Sequence, residues 1–576
     1  MPHLALPALS FYLRAHGHDV TQRDLNLEVF EHMLTRSYLQ QSLARLKLGR
    51  APARQASAPP RERLLWALQH GPQLAEQVEQ AVAVMRSPAF LDGEAGLRAF
   101  LTVARSLELA SLPYYPASLD LLGFRPAAAM DSSRALLQAV RDEQHNPFLD
   151  IFRRGIIRDL VALQPELVGI SIPTEGQMLA GMTLAHLIKQ AKLPCHVTVG
   201  GPQITMLREQ LPQAPAVFTL IDSAVAFEGE EPLLRLAEAL AAGGGPQLAQ
   251  VPNLVWRDGS EIRANPVTPR GDLRPATAEL PLPDFDGLPL GRYLAPYPIL
   301  PLLTAHGCYH GRCAFCNVGY GRAGHYRPIR SEQVVEQMLA LRRKYGARHI
   351  FFADEAMTLR NMREMSALLA EQAADGVAFH WGGCMRFEKA LTHELLESMA
   401  AAGCRMILFG LETASERMIK HMSKGVERDH MGRILRESTA AGIWNHTFFF
   451  FGFPTETLDD AQDTVNFVYA HGDVIHSASP GEFVLERYSP VHRDPQKFGV
   501  RRIKPAADLA IYFDYELESG LDEQTAHTIT ERLLDVLPRK RYGQYYAQDA
   551  YRLIYAGHLH EQGLPLPAWL ADEAAG

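Results

Sequence analysis

Apolar residues recur at helical spacing from Leu4 to Leu13 (LALPALSFYL), and Gly17 stops that run before a short alternating stretch, Asp19 to Arg23, that reads as a strand. The sequence starts almost inside this helix. The strand expected before it is missing, and the completeness of the N-terminus is left open. From about residue 41 to 145 the chain is rich in Ala, Leu, Arg and Gln with 3.6-residue apolar spacing, which predicts a helical insertion. Within it, Arg50 to Arg61 (RAPARQASAPPR) reads as a loop. Strand and helix then alternate. PELVGISIP lies within Leu163 to Pro173, a helix spans Met178 to Ala191, and HVTVGG follows at His196 to Gly201. A weak strand at Ala224 to Phe227 leads through the turn Glu228-Gly229-Glu230 into a helix at Pro232 to Ala242. This alternation predicts an α/β domain built on a doubly wound parallel sheet. Leu254 to Ala264 reads as a hairpin about Asp258-Gly259, and the Pro-rich stretch from Pro266 to Pro298 as a linker.

Beyond the linker, strand patterns fall at Ile299 to Ala305, His349 to Ala353, Ala378 to Gly383, Arg405 to Gly410, Thr447 to Gly452 and Glu482 to Tyr488. Helical patterns separate them: Ser331 to Tyr345, Asn361 to Ala374, Thr392 to Ala402, a pair within Ser415 to Ala441, and Leu458 to His471. Six such units predict a partial (β/α)6 barrel with its functional groups at the C-terminal ends of the strands. From about Pro505 to Gly563 the pattern is helical again and is expected to cap the barrel. The boundaries are then 1–250 for the first domain, 251–297 for hairpin and linker, 298–495 for the barrel and 496–576 for a helical C-terminal domain.

A length of 576 residues accommodates several such domains, and 47% hydrophobic with 21% charged residues is ordinary for a globular chain. The formal net charge of -8 leaves no basic footprint for nucleic acid, which is not expected as a partner. Met1 to Leu13 lacks the cationic start of a signal peptide. No apolar run approaches the roughly 20 residues of a membrane span. A cytoplasmic setting is expected, and six cysteines in so long a chain do not make a disulfide frame.

Three of those cysteines lie within nine positions, Cys308-Tyr-His-Gly-Arg-Cys313-Ala-Phe-Cys316, just after the first barrel strand. Three thiolates in one loop suit a soft metal centre. One solution is a [4Fe-4S] cluster with one iron free of protein ligands; another is zinc, with His306 or His310 as a fourth ligand in a non-catalytic binding protein. Cys195, Cys384 and Cys404 have no partners at ligand spacing and read as small buried hydrophobes.

This loop in this barrel resembles that of the radical S-adenosylmethionine (SAM) superfamily over about Pro298 to Pro490. The spacing is C-x4-C-x2-C where the commonest family spacing is C-x3-C-x2-C. The resemblance implies that Cys308, Cys313 and Cys316 ligate the cluster and that Phe315 packs near the adenine of SAM. Further matches follow at later strand ends. Glu355 in FFADEAMT stands near the SAM methionine or the substrate, with helix capping by Asp354-Glu355 as the alternative. Arg386 in CMRFEK would hold the SAM carboxylate, and Glu412 in GLETAS would contact SAM. Gly452 and Pro454 in FGFPTET bring backbone near the adenine.

The front sheet ends in three small or polar turns, Pro173-Thr174-Glu175-Gly176-Gln177, Gly200-Gly201-Pro202 and Glu228-Gly229-Glu230. Ligands of open parallel sheets bind beyond the carboxyl ends of the strands. With LALPALSFYLRAHGHDV, these turns resemble the cobalamin-binding domain that precedes the barrel in one radical SAM group. That implies cobalamin contacts at Thr174, Glu175, Gln177, Gly200, Gly201, Glu228, Gly229 and Glu230, with no Asp-x-His-x-x-Gly ligand motif present. The resemblance implies a cobalamin-dependent C-methyltransferase acting on a small-molecule or peptide substrate, reduced by a donor such as flavodoxin or ferredoxin. Ring contraction or oxidative cyclisation without methyl transfer is the enzymatic alternative. A methylthiotransferase is disfavoured, because neither an additional N-terminal cysteine set nor a basic C-terminal module is present.

Overall fold

The computed structural model describes residues 1–48, 59–268, 282–321, 326–374, 376–536 and 548–568. The expected loop at 50–61 and linker at 266–298 therefore lie partly outside the described residues.

The N-terminal half opens with helix α1 (Ala5–Ala15), and its insertion is built on the long antiparallel-facing helices α2 (Arg61–Met85) and α3 (Gly93–Ser111). The sheet comprises β1 (Leu167–Ser171), β2 (His196–Gly200) and β3 (Ser223–Val225), with α4 (Met178–Gln190) and the short α5 (Pro202–Met206) between them. Helix α6 (Glu230–Ala241) leads to β4 (Leu254–Asp258) and β5 (Glu261–Ala264). Strands β1 to β3 are parallel, while β4 pairs with β3 and β5 with β4 antiparallel. The hairpin, read from sequence as part of the linker segment, thus completes the sheet, whose order follows the chain from β1 to β5. One hydrophobic core runs from the insertion into the sheet, joining Met85, Val103 and Phe152 to Met182 and Val197.

The strand expected at Asp19 to Arg23 does not form. Side chains hold this segment in place of a backbone ladder: Gln22 Nε2 donates to the carbonyls of Asp284 and Asp286 at 2.7 Å, and Arg23 meets Asp159 at 3.1 Å.

The second half alternates β6 (Ile299–Leu302), α7 (Ser331–Tyr345), β7 (His349–Phe352), α8 (Leu359–Ala374), β8 (His380–Met385), α9 (His393–Ala401) and β9 (Cys404–Glu412). It continues through α10 (Glu416–His421), α11 (Arg428–Ala440), β10 (Trp444–Phe451), α12 (Leu458–Ala470) and β11 (Ser477–Glu482). All six strands are parallel and in chain order, with β6 and β11 at the open edges. The sixth strand is Ser477–Glu482, not the apolar stretch 482–488. Its sequence, SASPGE, carries no strand pattern, and Pro480 is tolerated because the strand is at an edge. The following stretch contributes only Leu485–Glu486, paired with Tyr512–Phe513. A second short ladder joins Val500–Ile503 to Tyr515–Leu517, so the C-terminal region expected to be helical begins with strands. Helices α13 (Glu523–Val536) and α14 (Asp549–Gln562) follow.

Successive residues of a strand face opposite sides. Leu300, Ile350, Phe352, Ile407, Phe409 and Phe451 pack with the crossover helices. Their neighbours Ile299, Phe351, Met406, Leu408 and Trp444 pack with Leu553, Ile554 and Leu559 of α14. Helix α14 therefore fills the concave side of the half-barrel instead of only covering its end. Gly557 makes this possible, because a Cβ there would lie 2.2 Å from Nδ1 of His380. No helix among the described residues is long and apolar enough to cross a membrane.

Candidate functional site

The cysteine loop hangs between the two rungs of a small ladder, Ala305 opposite Pro328 and His306 opposite Arg327, beyond the C-terminal end of β6. Within the four-residue gap, Gly311 takes φ 56°, a left-handed turn that glycine adopts without strain. The loop is pinned from several sides. Ala314 N–H donates to Met422 O at 2.8 Å, and Val491 N–H donates to Ala314 O at 3.1 Å. Tyr309 Oη donates to Glu388 at 2.9 Å, and His310 Nε2 lies 2.8 Å from Ser423 O.

All three cysteines are half-buried in this one loop. Burial pushes the Cys316 thiol up to about 12 and raises that of Cys313. Left to themselves these groups are neutral; metal binding requires their deprotonation. The surroundings favour thiolate charge: Arg386 Nη1 is 3.8 Å from Cys313 Sγ, Lys424 is a second cation in range, and Val318 N–H donates to Cys316 Sγ at 3.4 Å. Among the described residues no three His, Cys, Asp or Glu side chains stand close enough together to hold a single metal ion. A cube holds its thiolates at separate corners and requires no such convergence. The donor set fits an iron–sulfur cluster.

Arg386 is buried and committed: Nε meets Glu388 at 3.0 Å, and its other arm donates to the carbonyls of Lys424 and Gly425. It lies against the cysteine loop. Glu412 occupies a break in the register between β9 and β10, with φ 60°, and accepts from Lys424 Nζ at 2.9 Å. Lys424 Nζ also stands 5.7 Å from the ring centre of Phe315, whose edge meets Phe450 at 5.2 Å. Phe315, Arg386, Glu412 and the cysteines thus form one contiguous patch around Lys424, a residue the sequence reading did not single out.

Glu355 is exposed at the end of β7 and within charge range of Cys316 and Cys384. Asp354 is a tie between strand ends, accepting from the backbone and hydroxyl of Thr304 at 2.9 and 2.6 Å, and burial lifts its carboxyl to about 6. Gly452, at φ 85°, donates to Glu456, and Pro454 is buried beside it; this turn rests on the C-terminal segment through Thr455 N–H to Ser519 O at 3.2 Å. Cys195 and Cys404 are buried in the two cores. Cys384 differs, since it faces the α14 side of the sheet, where Asp549 is the foremost charge acting on it.

The three front turns follow adjacent parallel strands and so share one sheet edge. Thr174 and Gln177 bond to one another at 3.3 Å, and a Cβ at Gly176 would reach within 2.9 Å of Phe124 O in the insertion. Gly201, at φ 102°, passes so close to β1 that a Cβ would lie 2.8 Å from Ile172 O, while Gly200 faces Val225. Gly229 abuts Leu9 of α1, and Glu230 begins α6. Glu228 turns away from this floor toward the barrel, meeting Arg327 at 2.6 Å and His306 at 3.3 Å.

Residues 302–468 match the radical SAM superfamily. An uncharacterized methyltransferase of Pyrococcus horikoshii is 27% identical over 343 residues, covering 58% of this chain and 71% of the relative. Among solved structures, the cobalamin-dependent SAM radical enzyme OxsB with aqua-cobalamin and SAM bound aligns with a TM-score of 0.54 at 18% identity, covering 77% of this chain and 74% of that one. The radical SAM methyltransferase TsrM from Kitasatospora setae, with cobalamin and a [4Fe-4S] cluster bound, aligns with a TM-score of 0.55 at 16% identity, over 72% and 92%. The cysteine loop and strands β7 to β10 of the open six-stranded sheet thus lie in the one segment, residues 302–468, that matches the radical SAM superfamily as a radical SAM domain.

Proposed function

We propose that the chain is a cobalamin-dependent radical SAM enzyme that methylates an unactivated carbon of a small-molecule or peptide substrate. The observation that carries the reading is the set of three half-buried thiols in one loop at the C-terminal edge of a parallel half-barrel, with the Arg386 guanidinium 3.8 Å from Cys313. When bound, the cluster supplies an electron that cleaves SAM to a hydrogen-abstracting radical, and methylcobalamin supplies the methyl group.

Cys308, Cys313 and Cys316 would hold the cluster. Arg386 stands over the Cys313 sulfur and stabilises negative charge there, while Lys424 fixes Glu412 toward the same patch. Phe315 and Phe450 offer an apolar edge-to-face surface against which a planar group can rest. Helix α14 excludes water from the concave face, a requirement for any reactive species made there. The front turns at Thr174–Gln177, Gly200–Gly201 and Gly229–Glu230 would face the cobalamin, and a small reductase such as a flavodoxin or ferredoxin would deliver the electron.

Product analysis tests this. Full-length protein reconstituted without oxygen and given SAM, a low-potential reductant and hydroxocobalamin is expected to form S-adenosylhomocysteine as the reduced cobalamin takes the methyl group of SAM, and, once a substrate is supplied, 5′-deoxyadenosine and a product heavier by one methylene. Deoxyadenosine alone, with no cobalamin-dependent S-adenosylhomocysteine, would overturn methyl transfer and leave a ring contraction or cyclisation.

A further inference from the structure

The N-terminal domain touches the cysteine loop at both ends and at its far side. Glu228, the first residue of the turn after β3, pairs with Arg327 and His306, the two residues that face each other in the ladder closing the loop. Glu228 and His306 are nearly covered, with 12% and 14% of their side chains exposed. At the far side, Arg208 donates to Tyr320 O at 2.9 Å, with its other arm on Thr205 O at 3.0 Å. Its guanidinium lies 4.0 Å from the ring centre of Tyr488 and 5.0 Å from that of Phe227. Asn317, next to Cys316, donates to Met206 Sδ at 3.5 Å.

The backbone is constrained here too. Phe227 at φ 64° and Tyr320 at φ 52° are both in the left-handed region, and their rings meet across the interface at 6.2 Å. Such conformations in bulky residues persist only where the surroundings over-determine them. Phe227 N–H is held by Thr205 Oγ1 at 2.8 Å, and Thr205 belongs to α5, which starts at the Gly200-Gly201 turn. The turns that end β2 and β3 therefore connect directly to the residues gripping the loop.

Resting on the reading above, we propose that Arg208 and Glu228 make the N-terminal domain a clamp on the cysteine loop, so that a corrinoid seated on the front turns slows the loss of iron from the three cysteines. Both are positioning residues. They act through Tyr320, Arg327 and His306, not on the metal.

The test uses the full chain, reconstituted anaerobically. Iron transfer to a chelator is followed by the decay of visible absorbance, with and without saturating hydroxocobalamin. The wild type is expected to lose iron several-fold more slowly with the corrinoid. Arg208→Ala and Glu228→Gln are expected to start with the same iron content and still bind the corrinoid, yet lose iron equally fast with or without it. Arg208→Lys keeps the charge without the planar fork and is expected to restore the protection only partly. Wild-type iron loss indifferent to corrinoid, or full protection in both variants, overturns the clamp. A wild-type chain that takes up no iron or no corrinoid overturns the clamp together with the proposed function, which separates the two failures.

Discussion

Lys424 Nζ lies 2.9 Å from Glu412 Oε1, and both side chains are largely withdrawn from water at the end of β9. Removing one member of a buried pair leaves the other uncompensated and costs about 3–5 kcal/mol. Lys424→Met is expected to lose about that much in urea unfolding, and Lys424→Met with Glu412→Gln is expected to recover most of it. Additive losses would show that the two residues do not couple. Gly410→Ala should disturb the same pair, since a Cβ there would lie 2.5 Å from Glu412 Oε1 and 2.8 Å from Lys424 Nζ.

Glu456 sets a pH dependence. Fully buried behind the Gly452 turn, its carboxyl is lifted by burial to about 7. Below the ordinary carboxylate value near 4.5 both the folded and unfolded chains hold the proton and the residue carries no penalty. As pH rises from there to about 7 the unfolded chain releases its proton first, and stability falls. Glu456→Gln is therefore expected to be more stable than the wild type at pH 8, by up to about 3 kcal/mol, and to show no gain at pH 4. An equal difference at both values would contradict the assignment.

Gly557 reverses a helix rule. In an exposed helix Gly→Ala stabilises by about 1 kcal/mol. Here the added Cβ would strike the buried ring of His380, and Gly557→Ala is expected to lower the melting temperature. A rise would mean that α14 does not press on β8.

Leu553 is fully buried between α14 and the concave face of the sheet. Leu553→Ala is expected to cost about 2–5 kcal/mol, the range for an unfilled core cavity. A change below about 1 kcal/mol, typical of surface sites, would place α14 outside the half-barrel.

Much of this architecture is legible in the sequence. Five barrel strands announce themselves as apolar runs because each is covered on both faces, by crossover helices and by α14 or its neighbours. Ser477–Glu482 does not, since an edge strand of small residues needs neither property. Nor does Asp19 to Arg23 reveal that its alternation is answered by side-chain contacts in place of a partner strand. The cysteines, Phe315, Arg386 and Glu412 could be singled out as candidates because they sit in short motifs at strand ends. Lys424, Arg208 and Thr304 were not visible as site residues, because what they do depends on contacts spanning 12, 112 and 50 positions. The same holds for Glu228, whose turn marks it as part of the front floor although its contacts lie with the barrel. Helix α14 reads as a helix, but nothing in its own pattern says that the surface it covers is the inside of the barrel.

Iron and acid-labile sulfide in an anaerobically purified full-length chain decide most directly whether Cys308, Cys313 and Cys316 hold a cluster. About four of each per chain, with a broad visible absorbance lost in Cys308→Ala, Cys313→Ala and Cys316→Ala, is the predicted result. A colourless protein that carries zinc, or one whose iron content is unchanged by these substitutions, would contradict it.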